Sequence, residues 1–298
     1  MNVLLFFTKI KMKTKQRDFI LGSEWIYLKL YLGHTTADIV LWNKIIPLVN
    51  QLQKKLLIKK WFFVRYSDPD FHLRIRFLVT RKCLIGEILN IIYANISMLV
   101  KNKLIWKVQF DTYSRELERY GNKIEDIESF FYIDSQYTIK ILKYLHMHSY
   151  ENKKWIIALL SINSILSDFS LNIAAKKELM YTLSLSFQDE YGINKHNIKQ
   201  LNAKYRENKK LIESSLNLQF TDQKIKFIFN LIQRRSIEYR KTITNICQKK
   251  RLHNYTLIGD LIHMNMNRLF CSHNRLYELI IYDFMYNYYN SLQFRNKI

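Results

Sequence analysis

The sequence predicts an α+β fold: an N-terminal βαββαβ antiparallel sheet of ferredoxin-like type, followed by a mostly helical half packed with it. Three observations lead there. Strand-like and helix-like patterns alternate through the first third of the chain. From Asp134 onward apolar residues recur at three- and four-residue spacing almost to the end. Only six glycines and two prolines occur in 298 residues, so turns and linkers are scarce. No Gly-, Ser- or Pro-rich stretch divides the chain. Residues 18–292 therefore read as one domain, and 1–17, which carry little pattern, as a loosely ordered N-terminal segment.

The elements follow in order. Trp25–Leu32 alternates, with Ile26, Leu28, Leu30 and Leu32 on one face and Tyr27, Lys29 and Tyr31 on the other. Thr35, Thr36 and Asp38 offer N-caps for a helical pattern through Leu57, kinked or restarted near Pro47. Trp61–Tyr66 and Phe71–Val79 are strands joined by the turn-forming run Ser67-Asp68-Pro69-Asp70. Leu84–Lys101 reads as a helix and Leu104–Tyr113 as a fourth strand. This order is the split βαβ arrangement, which puts two helices on one sheet face and leaves the other available.

On the third strand, Phe71, Leu73, Ile75, Phe77 and Val79 point one way, and His72, Arg74 and Arg76 the other. The fourth strand separates Leu104, Trp106, Val108 and Phe110 from Lys107, Gln109, Asp111 and Tyr113. A cationic face flanked by aromatic residues follows. Further helices are expected from a cap at Asp134 or Ser135 to His148, then over Lys154–Leu166, Ala174–Phe187, Ile193–Leu216, Asp222–Gln248, Thr256–Phe270 and Asn274–Phe294.

The formal charge of +22 comes from 47 basic against 25 acidic residues. Such a balance attracts polyanions and acidic peptides. The lysines, however, are spread along a chain rich in Asn and Ile, as AT-rich coding produces, so tRNA contact is not the favoured reading. Cys83, Cys247 and Cys271 show no paired spacing and read as free thiols of a reducing compartment. Val3–Phe7 is too short for a signal-peptide core. No apolar run reaches the roughly 18 residues that a membrane span needs. A cytoplasmic location without membrane insertion is expected.

Chemistry-bearing residues fall in three segments. Arg74 and Arg76, two apart on one strand face, can bracket a carboxylate through paired planar donors; the plain alternative is an exposed face laced with salt bridges. Arg119 follows Glu116 by three residues and precedes Gly121, which fits a short ion-paired helical turn. His263 has Asp260 and Asn267 near its helix face and can exchange a proton near neutral pH; a histidine satisfied at a helix–helix contact is the plain alternative. His146 and His148 diverge. No metal motif, phosphate-binding loop, nucleophile elbow or dinucleotide fingerprint occurs, so no cofactor and no metal are expected.

Taken together, Gly22–Tyr31, Trp61–Phe77, Asp111–Gly121, Phe131–Ser135 and Leu261–Arg268 resemble the C-terminal domain family shared by class I lantibiotic dehydratases and thiopeptide-type bacteriocin biosynthesis proteins. The resemblance covers roughly residues 18 to 292. In that family a large N-terminal portion transfers glutamate from glutamyl-tRNA to Ser or Thr of a precursor peptide. The C-terminal domain then eliminates glutamate, leaving dehydroalanine or dehydrobutyrine.

The resemblance implies elimination roles for Arg74, Arg76, Arg119 and His263, and substrate contacts from their neighbours Arg65, His72, Tyr113, Glu116, Asn267 and Arg268. It leaves open whether His263 takes the α-proton or protonates the leaving group. The implied function is a stand-alone elimination subunit of a split dehydratase. Its partners would be a ribosomal precursor peptide and a separate glutamylating subunit; a homodimer is compatible with the sequence. Two other readings are a pyridine-forming cyclase acting on dehydroalanines and a non-catalytic subunit that binds peptide or tRNA.

Overall fold

The computed structural model describes residues 15–247 and 254–295. Strand β1 (Asp18–Phe19) precedes β2 (Trp25–Leu32), then helices α1 (His34–Val40) and α2 (Ile46–Lys54), joined by a π-helical turn at Leu41–Ile45. Strands β3 (Ile58–Tyr66) and β4 (His72–Val79), helix α3 (Ile85–Lys101), and strands β5 (Ile105–Asp111) and β6 (Tyr113–Ser114) follow. The helical half comprises α4 (Leu117–Tyr120), α5 (Ile124–Met147), α6 (Lys154–Asp168), α7 (Ile173–Glu190) and α8 (Lys195–Leu216). It ends with α9 (Gln223–Cys247), α10 (Tyr255–Leu269) and α11 (Asn274–Arg295). The protein is thus mixed α/β, with antiparallel sheets and a helical C-terminal half.

The main sheet has the order β3-β4-β2-β5, with every neighbouring pair antiparallel. Alternation fixes the register. Ile26, Phe77 and Trp61 lie side by side, as do Leu28, Ile75 and Phe63, and all six are fully buried. A one-residue slip would turn this row of side chains to the other face, at about 1.5–3 kcal/mol for each large apolar group. Tyr27, Arg76 and Phe62 form a row on the opposite face, and Lys29, Arg74 and Val64 the next.

That second face is not open. Helices α5 and α10 both pack on β3, and Tyr27, Tyr31, Phe62, His72 and Tyr113 are buried there. The expectation of an available face is therefore corrected: the cationic face is roofed, and only part of it reaches a cavity.

Several local expectations change. Gly33, not Thr35, Thr36 or Asp38, caps α1, and Asp38 is buried against the Arg65 guanidinium. The irregularity before Pro47 is the π-helical turn Leu41–Ile45, which runs on without a break into α2 and so lies where the proline ring and its missing N–H interrupt the helical ladder. Asp134 and Ser135 do not cap a helix; they lie within α5, fully buried. The fourth strand begins at Ile105, one residue after Leu104, and Leu104 and Trp106 are exposed rather than core residues, because β5 is an edge strand that α3 covers only in part. The segment Lys82–Lys101, with a mean hydropathy of 1.7, is long and apolar enough to cross a membrane by length and composition alone. Scattered Asn and Ser residues do not lower its mean enough to exclude it. In this fold Ile88, Ile91, Ile92, Ile96 and Leu99 are its buried residues, and it touches α2 and β5. Residues 1–14, in the expected loose segment, and Gln248, the end of the expected helix Asp222–Gln248, lie outside the described residues. Lys15 pairs with Glu125, and the Arg17 carbonyl accepts the Arg115 backbone N–H.

Asp134 organises the helical half. Its Oδ1 accepts from Asn265 Nδ2 at 2.7 Å, Tyr239 Oη at 2.8 Å and Arg235 Nη1 at 3.3 Å. Its Oδ2 accepts from Arg268 Nη1 at 3.1 Å. One carboxylate thereby links α5, α9 and α10. Asp134→Ala would leave two buried guanidinium groups without their counter-ion, a loss on the order of 3–5 kcal/mol. Urea unfolding should show that loss; a change below about 1 kcal/mol would contradict the assigned role.

Candidate active site

The strand register places Arg74 and Arg76 beside aromatic rings. The Arg76 guanidinium sits 4.5 Å from the Tyr27 ring centroid, 4.8 Å from Tyr113 and 5.2 Å from Phe62. That of Arg74 lies 3.3 Å over Tyr66, while its Nε donates to His72 Nε2 at 3.0 Å. Among the described residues no carboxylate pairs with either guanidinium, and the buried Arg76 Nε has no hydrogen-bond partner. The salt-bridged alternative is thus not what the fold builds. Aromatic faces hold the cations in place without neutralising them.

His72 is a support rather than a substrate ligand. It is fully buried, stacked on Tyr31 at 4.6 Å. Its Nδ1–H donates to the Asp70 carbonyl at 2.8 Å, which leaves Nε2 as the acceptor for Arg74. Burial lowers its pKa, and the nearby positive charges of Arg74 and Lys29 act the same way.

A cavity of about 200 Å³ opens in front of these groups. Its lining includes Arg74, Arg76, Tyr113, Glu116, Arg119, Tyr120, His263 and Asn267. The imidazole of α10 and the arginines of β4 therefore share one space. A larger adjoining groove of about 370 Å³, between α7, α10 and α11, shares Arg119 and His263. Arg119 stands half-exposed between Glu116 (3.0 Å) and Asp260 (3.5 Å). Burial opposes its charge, but those two carboxylates outweigh it and raise its pKa. Burial raises Asp260, and the charges of Arg119 and His263 offset part of that. Burial and the neighbouring Glu116 and Asp260 charges push the Tyr120 phenol up to about 12.

Four of the expected substrate contacts are tied into the framework, and of these Arg65, Asn267 and Tyr113 also line the cavity. Arg65 is buried, with Nη2 on Asp38 Oδ1 at 2.5 Å and Nε and Nη2 on the Arg268 carbonyl. Arg268 is fully buried, engaged by Asp134, the Phe63 carbonyl and the Met264 carbonyl. Asn267 accepts the Arg65 backbone N–H and donates to the Arg65 carbonyl, both at 2.9 Å. A side chain thus completes the free edge of β3 where a strand would otherwise be needed. The Tyr113 hydroxyl donates to Glu128 at 2.9 Å, so only its ring serves the site, beneath Arg76.

His263 is held differently from expectation. Asn267 is occupied by β3 and Asp260 by Arg119; the partner of Nδ1 is Glu278 of α11, at 3.0 Å to both carboxylate oxygens. Sequence spacing gave no signal for Glu278, because the contact crosses between helices. Asp134 did carry one, as a charged residue within an apolar helical pattern. Among the described residues no group of three or more His, Cys, Asp or Glu side chains is placed to hold a metal ion.

This geometry accompanies a match of residues 25–289 to the lantibiotic biosynthesis dehydratase C-terminal family. The chain belongs to that family. It is 25% identical over 261 residues to the epidermin biosynthesis protein EpiB of Staphylococcus epidermidis, covering 87% of this chain and 25% of EpiB. It is 25% identical over 284 residues to the nisin biosynthesis protein NisB of Lactococcus lactis subsp. lactis, covering 93% of this chain and 26% of NisB. The chain therefore spans about a quarter of the length of these relatives. Its fold is like that of the tRNA-dependent lantibiotic dehydratase MibB from Microbispora sp. 107891, with a TM-score of 0.72 and 22% identity over 92% of this chain and 29% of MibB. It is also like that of the pyridine synthase TbtD from thiomuracin biosynthesis, with a TM-score of 0.60 and 10% identity over 90% of this chain and all of TbtD.

The supporting role of His72 gives a pH test. Folding holds His72 neutral, with its pKa below the ordinary 6.5, so the unfolded chain binds that proton more readily. Stability tied to His72 is full above about pH 6.5 and declines as pH falls below it. Asp68 lies on the turn before β4, and Lys29 and Arg74 face the ring from β2 and β4. Urea unfolding of wild type and His72→Gln should show the wild-type advantage shrinking between pH 7 and 5; a constant difference would contradict the assignment.

Proposed function

We propose that this chain carries the glutamate-elimination step of lanthipeptide-type dehydration. It removes glutamate from glutamylated Ser or Thr of a ribosomal precursor peptide and leaves a dehydroamino acid. The observation that carries this reading is one cavity lined by two guanidinium groups without carboxylate partners among the described residues and by an imidazole backed by a buried carboxylate.

The reaction needs those parts. A base removes the Cα proton, the C–H electrons form the Cα=Cβ bond, the Cβ–O bond breaks, and glutamate leaves as a carboxylate. Arg74 and Arg76 hold the glutamyl group and stabilise negative charge developing on the ester and the enolate, in a site whose rings exclude water. Arg119, steadied by Glu116 and Asp260, guards the junction of the two cavities, and His263 transfers the proton. The EpiB and NisB matches cover about a quarter of those proteins. Glutamylation is assigned to the portion of those relatives that this chain does not match. Three free cysteines support a cytoplasmic setting. The order β3-β4-β2-β5, with helices after its first and third strands in the chain, supports reading the sheet as a ferredoxin-like split βαβ unit.

The likeness to TbtD favours a second reading, cyclisation of dehydroalanines, on fold alone. Mass spectrometry separates the two. Wild-type protein incubated with a glutamylated peptide should release glutamate, whereas ring formation with leader expulsion would mark a cyclase, and neither product would reject both. Arg74→Lys should slow glutamate release on the order of 10²- to 10³-fold with thermal unfolding unchanged. A lysine cannot donate to His72 and lie flat on Tyr66 while presenting paired donors. An unimpaired Arg74→Lys variant removes Arg74 from the site.

A further inference from the structure

Glu278 is a fully buried carboxylate on the face of α11 that meets His263. Its Oε2 accepts from Tyr282 Oη at 2.9 Å and its Oε1 from Asn274 Nδ2 at 3.4 Å, while His263 Nδ1 lies 3.0 Å from both oxygens. Among the described residues its ion-pair partner is His263. A carboxylate withdrawn from water needs donors on its oxygens. Two come from neutral groups of its own helix, and the third must be a proton on Nδ1. The ring is then left with Nε2 as its only free nitrogen. His263 keeps about a third of its side chain exposed and lines both cavities.

We propose that Glu278 is a positioning residue that fixes the Nδ1–H tautomer of His263, making Nε2 the atom that receives the substrate α-proton. This rests on the elimination reading. The proton balance is complete: Nε2 gains the Cα proton, Nδ1 keeps its own, and the imidazolium formed is stabilised by the Glu278 charge. Glutamate carries away the electrons of the broken Cβ–O bond. On the other side of the ring, Asp260 is paired with Arg119 and so competes less for the new imidazolium. Arg275 on α11, another charged neighbour of this cluster, is held by Glu190.

Long-range proton–nitrogen correlation spectra of protein labelled with ¹⁵N-histidine test this, with the His263 signal assigned by its loss in His263→Gln. At neutral pH the wild type should show a protonated Nδ1 and a bare Nε2. In Glu278→Gln the amide oxygen takes the Oε2 place and keeps the bond from Tyr282, while its NH₂ takes the Oε1 place, where it donates to Nδ1 and Asn274 turns its own amide oxygen toward it, so the tautomer should reverse. Glutamate release should fall on the order of 10³- to 10⁴-fold with little change in KM, the cost of a wrong tautomer in a comparable Asp–His pair. A wild-type ring protonated at Nε2 with a bare Nδ1 overturns the proposal, as does a Glu278→Gln spectrum identical to wild type. If that variant does not fold, the wild-type spectrum alone decides. The spectrum needs no turnover: the expected tautomer in a protein that releases no glutamate would reject the elimination reading and leave the positioning role of Glu278 standing.

Discussion

The position of α10 against the sheet is the constraint on which the site depends, and Asp134 sets it. The carboxylate binds Asn265 and Arg268 on α10, Arg235 and Tyr239 on α9, and belongs itself to α5. Arg268 continues to the Phe63 carbonyl of β3, and Asn267 closes on the backbone of Arg65 two residues further along. These bonds are directional, so they fix where α10 lies along β3 and how it is rotated. His263, four residues before Asn267 and one helical turn away, is thereby brought to the cavity that Arg74 and Arg76 line.

Two populations of arginine divide the labour. Arg65, Arg115, Arg235 and Arg268 are buried with carboxylates: Asp38, Glu128 and Asp134. They hold elements together and carry little free charge toward solvent. Arg74 and Arg76 are instead seated on Tyr66, Tyr27, Tyr113 and Phe62. A ring steadies a cation through its quadrupole but does not cancel it. The site thus keeps a positive field that an incoming carboxylate can meet. The broad +22 charge of the chain is a separate matter, being distributed over the surface and bearing on association rather than chemistry.

Much of this was legible in the sequence where a residue's role is local. The alternation in Trp25–Leu32 and Phe71–Val79 gave both strands and told Arg74 and Arg76 apart from the core, because period two is a property of the backbone itself. The long helices from Lys154 onward followed from apolar spacing in the same way. Roles that depend on a distant partner were misassigned. Asp134 and Ser135 looked like a cap because short polar residues favour helix starts, whereas the helix had begun ten residues earlier at Ile124. Arg65, Arg268 and Asn267 looked like substrate contacts because their motifs border the cavity, which Arg65 and Asn267 themselves line while bonded to the framework. Their engagement with one another, about two hundred residues apart in the chain, is a tertiary fact. Glu278 was invisible for the same reason.

The most direct measurement is a crystal structure of the protein bound to a peptide in which the glutamyl ester oxygen is replaced by NH, an analogue that holds its glutamate. The account predicts the glutamyl carboxylate at the Arg74 and Arg76 guanidinium groups and the modified residue's Cα hydrogen facing Nε2 of His263. A glutamyl group bound away from those arginines, or a Cα turned away from the imidazole with the arginines still empty, would contradict it.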